Sequence, residues 1–155
     1  MKRLFAGTPG SILLAVLIMA GACSGEKPPG LIGPLHWIRM GMPREEILRH
    51  LPLEGSKNTL TPGFIHISGI TEPTYARDGL VSMIFTFRKE GNDLVLNAAH
   101  LTFDGNVVGE TSLIDQLTSR YGKPAGRVWK LKGGYVIDIL QGPGAQIKVT
   151  FDTPG

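Results

Sequence analysis

One cysteine occurs among the 155 residues, so the chain can form no internal disulfide and must be held together by its core. Aromatic residues are scarce at 7 %, and the formal net charge is only +3. No apolar run approaches the roughly 20 residues that a membrane-spanning helix requires. The run at residues 12–20 has nine.

Catalytic signatures are missing as well. No Gly-x-Ser-x-Gly elbow appears, and no Ser/His/Asp set can be nominated from spacing. The glycine-rich stretch at 142–145 falls between expected strands rather than at a helix start, so it makes no phosphate cradle. Glu45 and Glu46 are neighbours on an expected helix and point apart, which suits helix-start electrostatics better than paired acid chemistry. Four histidines, His36, His50, His66 and His100, show no metal-ligand spacing. His66 and His100 could meet, with Asp104 beside them, only if their strands paired. No metal site and no cofactor is expected.

What is present begins at the lone cysteine. Lys2 and Arg3 precede the short apolar run, and small residues follow it, the three parts of an export signal over residues 1–22. Ala20-Gly21-Ala22 suits an ordinary signal peptidase, which would release a soluble protein starting at Cys23. The same residues with Cys23 resemble the bacterial lipobox, with Ala20 where leucine is preferred. An unpaired thiol in an oxidising compartment favours acylation of Cys23, which accounts for both its solitude and its position. By the same resemblance Ser24, in place of a retaining aspartate, directs the protein to the outer membrane, facing the periplasm.

Removal of residues 1–22 takes Lys2 and Arg3 from the 16 basic residues and leaves 14 against 13 acidic ones. A nearly neutral domain offers no electrostatic case for nucleic acid. The remaining 133 residues suffice for one domain. Residues 23–34, with Pro28, Pro29 and Pro34, read as a lipidated flexible tether, and 35–155 as a single globular domain.

Two helices are expected. The first spans 40–52, with Pro43 at its first position and Ile47, Leu48 and Leu51 as its apolar stripe. The second spans 110–124, with Ser112 and Asp115 as a capping-box variant and Gly122 as a left-handed C-cap. Strands are expected at 64–70, 80–88, 94–103, 128–131, 135–140 and 145–151. Helix and three strands, twice over, predicts an α+β domain: an antiparallel sheet of about six strands with two helices on one face. The polar stretch 71–79 is expected to be an exposed loop.

Candidate binding residues are few. Trp37 lies beside the tether, and Tyr75, Arg77 and Asp78 lie in the polar loop, so these four are the expected partner-binding residues. Trp129 alternates within a strand and is expected in the core.

Residues 38–52 resemble the opening of the small outer-membrane lipoproteins of the BamE/SmpA/OmlA type. Ile38, Gly41, Met42, Glu45, Glu46, Ile47 and Leu51 match in kind, while His50-Leu51-Pro52 lacks the usual glycine. The doubled helix-and-sheet layout is similar to that of β-lactamase-inhibitor-like domains. These resemblances imply a lipoprotein setting and an α+β fold. Together with the absent catalytic groups they predict a non-catalytic envelope lipoprotein, anchored by its N-terminal lipid, that adapts or stabilises a membrane-associated protein complex. The alternative is a periplasmic inhibitor or immunity-type protein that blocks another protein with its 71–79 loop.

Overall fold

The structure, a computed structural model, describes residues 27–51 and 53–154. The expected signal segment, Cys23 and Pro52 lie outside the described residues. The strands are β1 (Lys57–Thr61), β2 (Phe64–Ser68), β3 (Leu80–Glu90), β4 (Asp93–Asp104), β5 (Val128–Lys130), β6 (Val136–Gln141) and β7 (Gln146–Asp152). They form one antiparallel sheet in the order β1-β2-β3-β4-β7-β6-β5. Among the described residues three α-helices accompany it: α1 (Arg44–Leu48), α2 (Pro73–Ala76) and α3 (Glu110–Tyr121). The α+β class is as the sequence predicts. The count differs, with seven strands and three helices in place of about six and two.

Alternation in the strands builds the core. Ile65, Phe85, Ala99, Phe151, Ile137 and Trp129 stand in one register row across six strands. None of them is more than 2 % exposed. The next row, His66, Ile84, His100, Thr150 and Asp138, points to the opposite face because side chains alternate with period two. Leu113 and Leu117 of α3, Ile47 of α1, and Leu31, Leu35, Ile38 and Met40 join the inner row in a single buried cluster. Each fully buried large side chain contributes about 1.5–3 kcal/mol by leaving water. Trp129 belongs to this core, and its indole N–H donates to the Gly122 carbonyl at 2.8 Å.

Helix α3 carries the chain from β4 to the far edge strand β5, and β6 and β7 then fill the gap back to β4. Its ends differ from expectation. Gly109 is the N-cap, no side chain caps the helix, and the Ser112–Asp115 box does not form. Glu110 in the first turn supplies the negative charge that the helix start favours. Gly122 ends the helix at φ 83° and ψ −171°, open to glycine yet outside the left-handed helical region. Pro43 is likewise the N-cap of α1 rather than its first residue, and α1 is only five residues long.

Two elements escaped the sequence pattern. Strand β1 is exposed along its whole length and has one apolar residue, Leu60, so it shows no alternation to detect. It exists because Pro62 and Gly63 fold it onto β2, and because the Arg44 guanidinium donates to the Thr61 carbonyl at 2.9 Å. Helix α2 lies inside the stretch expected to be a loop. The Glu72 carboxylate accepts from the Tyr75 amide at 3.2 Å, and Pro73 fixes the first turn.

The largest difference concerns the tether. Pro29, Gly30, Leu31 and Ile32 are buried, and Leu31 is fully so. The Leu31 amide donates to the Ile38 carbonyl at 2.8 Å, and the Met40 amide to the Pro29 carbonyl at 3.0 Å. The Tyr121 hydroxyl donates to the Gly30 carbonyl and the Arg120 guanidinium to the Leu31 carbonyl, which ties this segment to α3. Of the prolines read as an extended linker, Pro29 is buried against the core and Pro34 lies in the 3₁₀ turn Gly33–Leu35. The ordered domain therefore starts several residues before position 35.

Candidate functional site

The segment after the buried turn positions the first wall of a groove. Gly41 donates to the Leu96 carbonyl at 2.8 Å, and Leu96 to the Met42 carbonyl at 2.9 Å. These bonds lie beyond a β-bulge in β4, where the register slips between Thr86 and Phe87. The end of β4 thereby pairs with residues 41–43 instead of β7, and α1 starts at a fixed place.

From that base Trp37, Met42, Glu46 and His50 line a groove of about 380 Å³. The Trp37 and His50 rings meet edge to face, with centroids 5.5 Å apart and planes at 78°. Such a pair is worth about 0.5–1.5 kcal/mol beyond its buried area. Tyr75 lies beside His50, its hydroxyl 3.5 Å from the His50 carbonyl. Burial pushes the Tyr75 phenol above its ordinary range, and the nearby Glu72 carboxylate pushes the same way. A hydrogen bond with Trp37 opposes both. The phenol is thus neutral at physiological pH.

The four residues expected to bind a partner fall into two pairs. Trp37 and Tyr75 come together around His50. Arg77 and Asp78 lie on the other side of α2, where Arg77 Nε is 3.9 Å from Asp78 Oδ1 and is 81 % exposed. They line a separate cleft with Val107, Val108, Ser112 and Gln116. Met42, Glu46 and His50 were not among the expected binding residues. Glu46 and His50 are four apart in a helical stretch, the spacing at which side chains share a face, and that signal was available in the sequence.

A wide cleft of about 870 Å³ lies between the 3₁₀ turn at Gly33–Leu35 and α3. His36, Ser112, Asp115 and Ser119 all border it. Residue types suited to nucleophilic catalysis therefore share a wall, but no hydrogen bond links them, and His36 Nδ1 lies 3.2 Å from the Gly33 carbonyl instead.

His66 and His100 do not meet. Each of their strands pairs with β3, so Ile84 stands between them. His66 lies 3.3 Å from the Ser82 hydroxyl. Among the described residues no group of three or more His, Cys, Asp or Glu is placed to hold a metal ion. Among them, too, no helix is long and apolar enough to cross a membrane.

No family model, curated protein or solved structure matches the chain.

Proposed function

We propose that this protein is a non-catalytic envelope lipoprotein, held to the outer membrane by lipid on Cys23, that adapts or stabilises a membrane-associated protein complex. The observation that carries the reading is the groove of Trp37, Met42, Glu46 and His50, with Tyr75 beside His50. It combines an aromatic edge-to-face pair, a thioether and one carboxylate, Glu46, at an accessible surface. Aromatics and methionine are enriched where proteins bind proteins, the aromatics because they give large contact area at small entropic cost and methionine because its flexible thioether adapts to the partner. The lone cysteine after a short apolar run supplies the anchor.

The inhibitor reading places the stretch 71–79 in a target's active site. A probing loop needs projecting side chains, and Tyr75 is turned back onto the body of the domain. Arg77 and Asp78 are exposed, as are Thr71, Pro73 and Thr74, but the one aromatic of the stretch does not project. The adaptor reading is therefore preferred.

Cross-linking and affinity capture from native envelopes tests it, with wild type beside Trp37→Ala and Cys23→Ser. A membrane-associated partner retained by wild type and lost in both variants is expected. The same soluble protein retained by all three would overturn the reading.

A further inference from the structure

Five exposed cations gather where the N-terminal segment leaves the domain. Two adjoining clefts share Lys27, Pro29, Arg120 and Tyr121. Lys130 and Lys132 complete one, and Arg39 borders the other. No carboxylate lines either cleft. The chain's ion pairs among described residues, at Arg44, Arg77, Arg88 and Arg127, involve none of the five. In the neighbouring wider cleft Asp115 faces Arg120 without pairing to it. Glu26 precedes Lys27 in sequence, and even if it offsets that charge four cations remain in surplus.

Chain length says what lies opposite this face. Pro29 to Ile32 are buried in the domain, and only Ser24, Gly25 and Glu26 separate Cys23 from Lys27. Four peptide steps reach about 14 Å at full extension. A lipid on Cys23 thus brings Lys27 to within about one or two Debye lengths of the headgroups at physiological ionic strength. A longer, free tether would have allowed the domain to turn any side toward the bilayer.

We infer that the face formed by Lys27, Arg39, Arg120, Lys130 and Lys132 docks on the anionic phosphate headgroups of the membrane surface and sets the orientation of the domain. The inference rests on the anchored-lipoprotein reading for its geometry. It adds a second, electrostatic attachment to the covalent lipid. Lys130 is on the short edge strand β5 and Lys132 in the turn after it, so both project from the edge of the sheet and are free to meet a flat surface.

The test is flotation of the full chain with vesicles of phosphatidylcholine alone and of phosphatidylcholine with phosphatidylglycerol at about two to one. The ratio of the two partition coefficients cancels whatever residues 1–26 contribute by apolar insertion. One basic side chain near an anionic surface is worth about five-fold, so Lys130→Gln with Lys132→Gln lowers the ratio about thirty-fold. Lys130→Arg with Lys132→Arg keeps it, which separates charge from folding, and high salt abolishes it. A ratio unchanged by the glutamines, or equal to one in wild type, overturns the inference. Mass analysis of the N-terminal peptide separates this outcome from failure of the anchor. An unmodified Cys23 with the charge-dependent ratio intact removes the anchor and keeps the docking face. A lipidated Cys23 with a ratio of one does the reverse.

Discussion

Substituting Leu31 with alanine distinguishes a core segment from a tether. Leu31 has no exposed surface, its amide is bonded to Ile38, and its carbonyl accepts from Arg120. Both backbone groups are held, so the chain cannot slide inward to refill the space that the leucine leaves. Leucine-to-alanine changes at buried sites cost about 2–5 kcal/mol, most where collapse is prevented. A loss of about 3–4 kcal/mol is expected here. For a domain of this size each kcal/mol lowers the melting temperature by roughly 3–5 °C, giving a fall of about 10–20 °C. The assay is urea unfolding of the full chain, followed by tryptophan fluorescence, since Trp129 is buried and reports loss of the core. With an m-value of about 1–3 kcal/mol/M the midpoint drops by about 1 M or more. Leu140→Ala serves as the control, because Leu140 is 45 % exposed and its truncation should stay within about 0.5 kcal/mol. A Leu31→Ala protein as stable as that control would refute the burial of residues 29–32 and restore the free tether.

Tyr121→Phe removes the hydroxyl that donates to the Gly30 carbonyl and is expected to cost about 1 kcal/mol in the same unfolding assay. No change would mean that the bond does not hold the segment. The Tyr121 phenol is pushed up by burial, which outweighs the opposing Arg120 and Arg39 guanidiniums, and Tyr75 is raised as well. Above the ordinary phenol value of 10.0 the unfolded chain releases protons that the folded chain keeps, so stability falls with rising pH from there and is unaffected below. Tyr121→Phe should flatten this alkaline decline, and phenols that titrate at their ordinary value would contradict it. Gly105→Ala places a Cβ 2.3 Å from the Ala145 carbonyl oxygen, next to the bond that closes β4 onto the start of β7. Backbone must move, at a cost of about 1–3 kcal/mol measured by thermal unfolding. An alanine variant of wild-type stability would show that the two segments are not in contact.

Strands whose side chains alternate were legible from the chain alone, because burying one face imposes period two. Val81 to Phe87 and Ile147 to Phe151 are such stretches and lie in the sheet, whereas Ala145, expected to open the last strand, is in the turn before it. Strand β1 carries no such pattern, since an edge exposed on both faces leaves composition free. Its place is set by contacts distant in sequence, above all Arg44 to Thr61. Local chemistry misled where tertiary contacts outweighed it. Pro28-Pro29 with Gly30 reads as a linker, yet Tyr121 and Arg120, about 90 residues away, capture it. Ser112 and Asp115 have capping-box spacing, but Gly109 takes the cap and α3 begins earlier.

The candidate groove was half legible. Trp37 and Tyr75 stood out as aromatics in polar surroundings. The partner that joins them, His50, reads in sequence as the end of a helix, and only the pairing of β4 with residues 41–43 brings it to Trp37. Arg77 and Asp78 are near Tyr75 in sequence but fall on another surface because α2 turns between them.

Site-specific photo-cross-linking from position 46 in native envelopes tests the central claim most directly. Glu46 is exposed and lines the groove, so a photoreactive residue there reports what occupies it. The account predicts one discrete adduct with a membrane-associated protein, lost when Trp37 is also changed to alanine. An adduct undiminished by Trp37→Ala, or none at all while a position on the opposite sheet face such as His100 gives one, would contradict it.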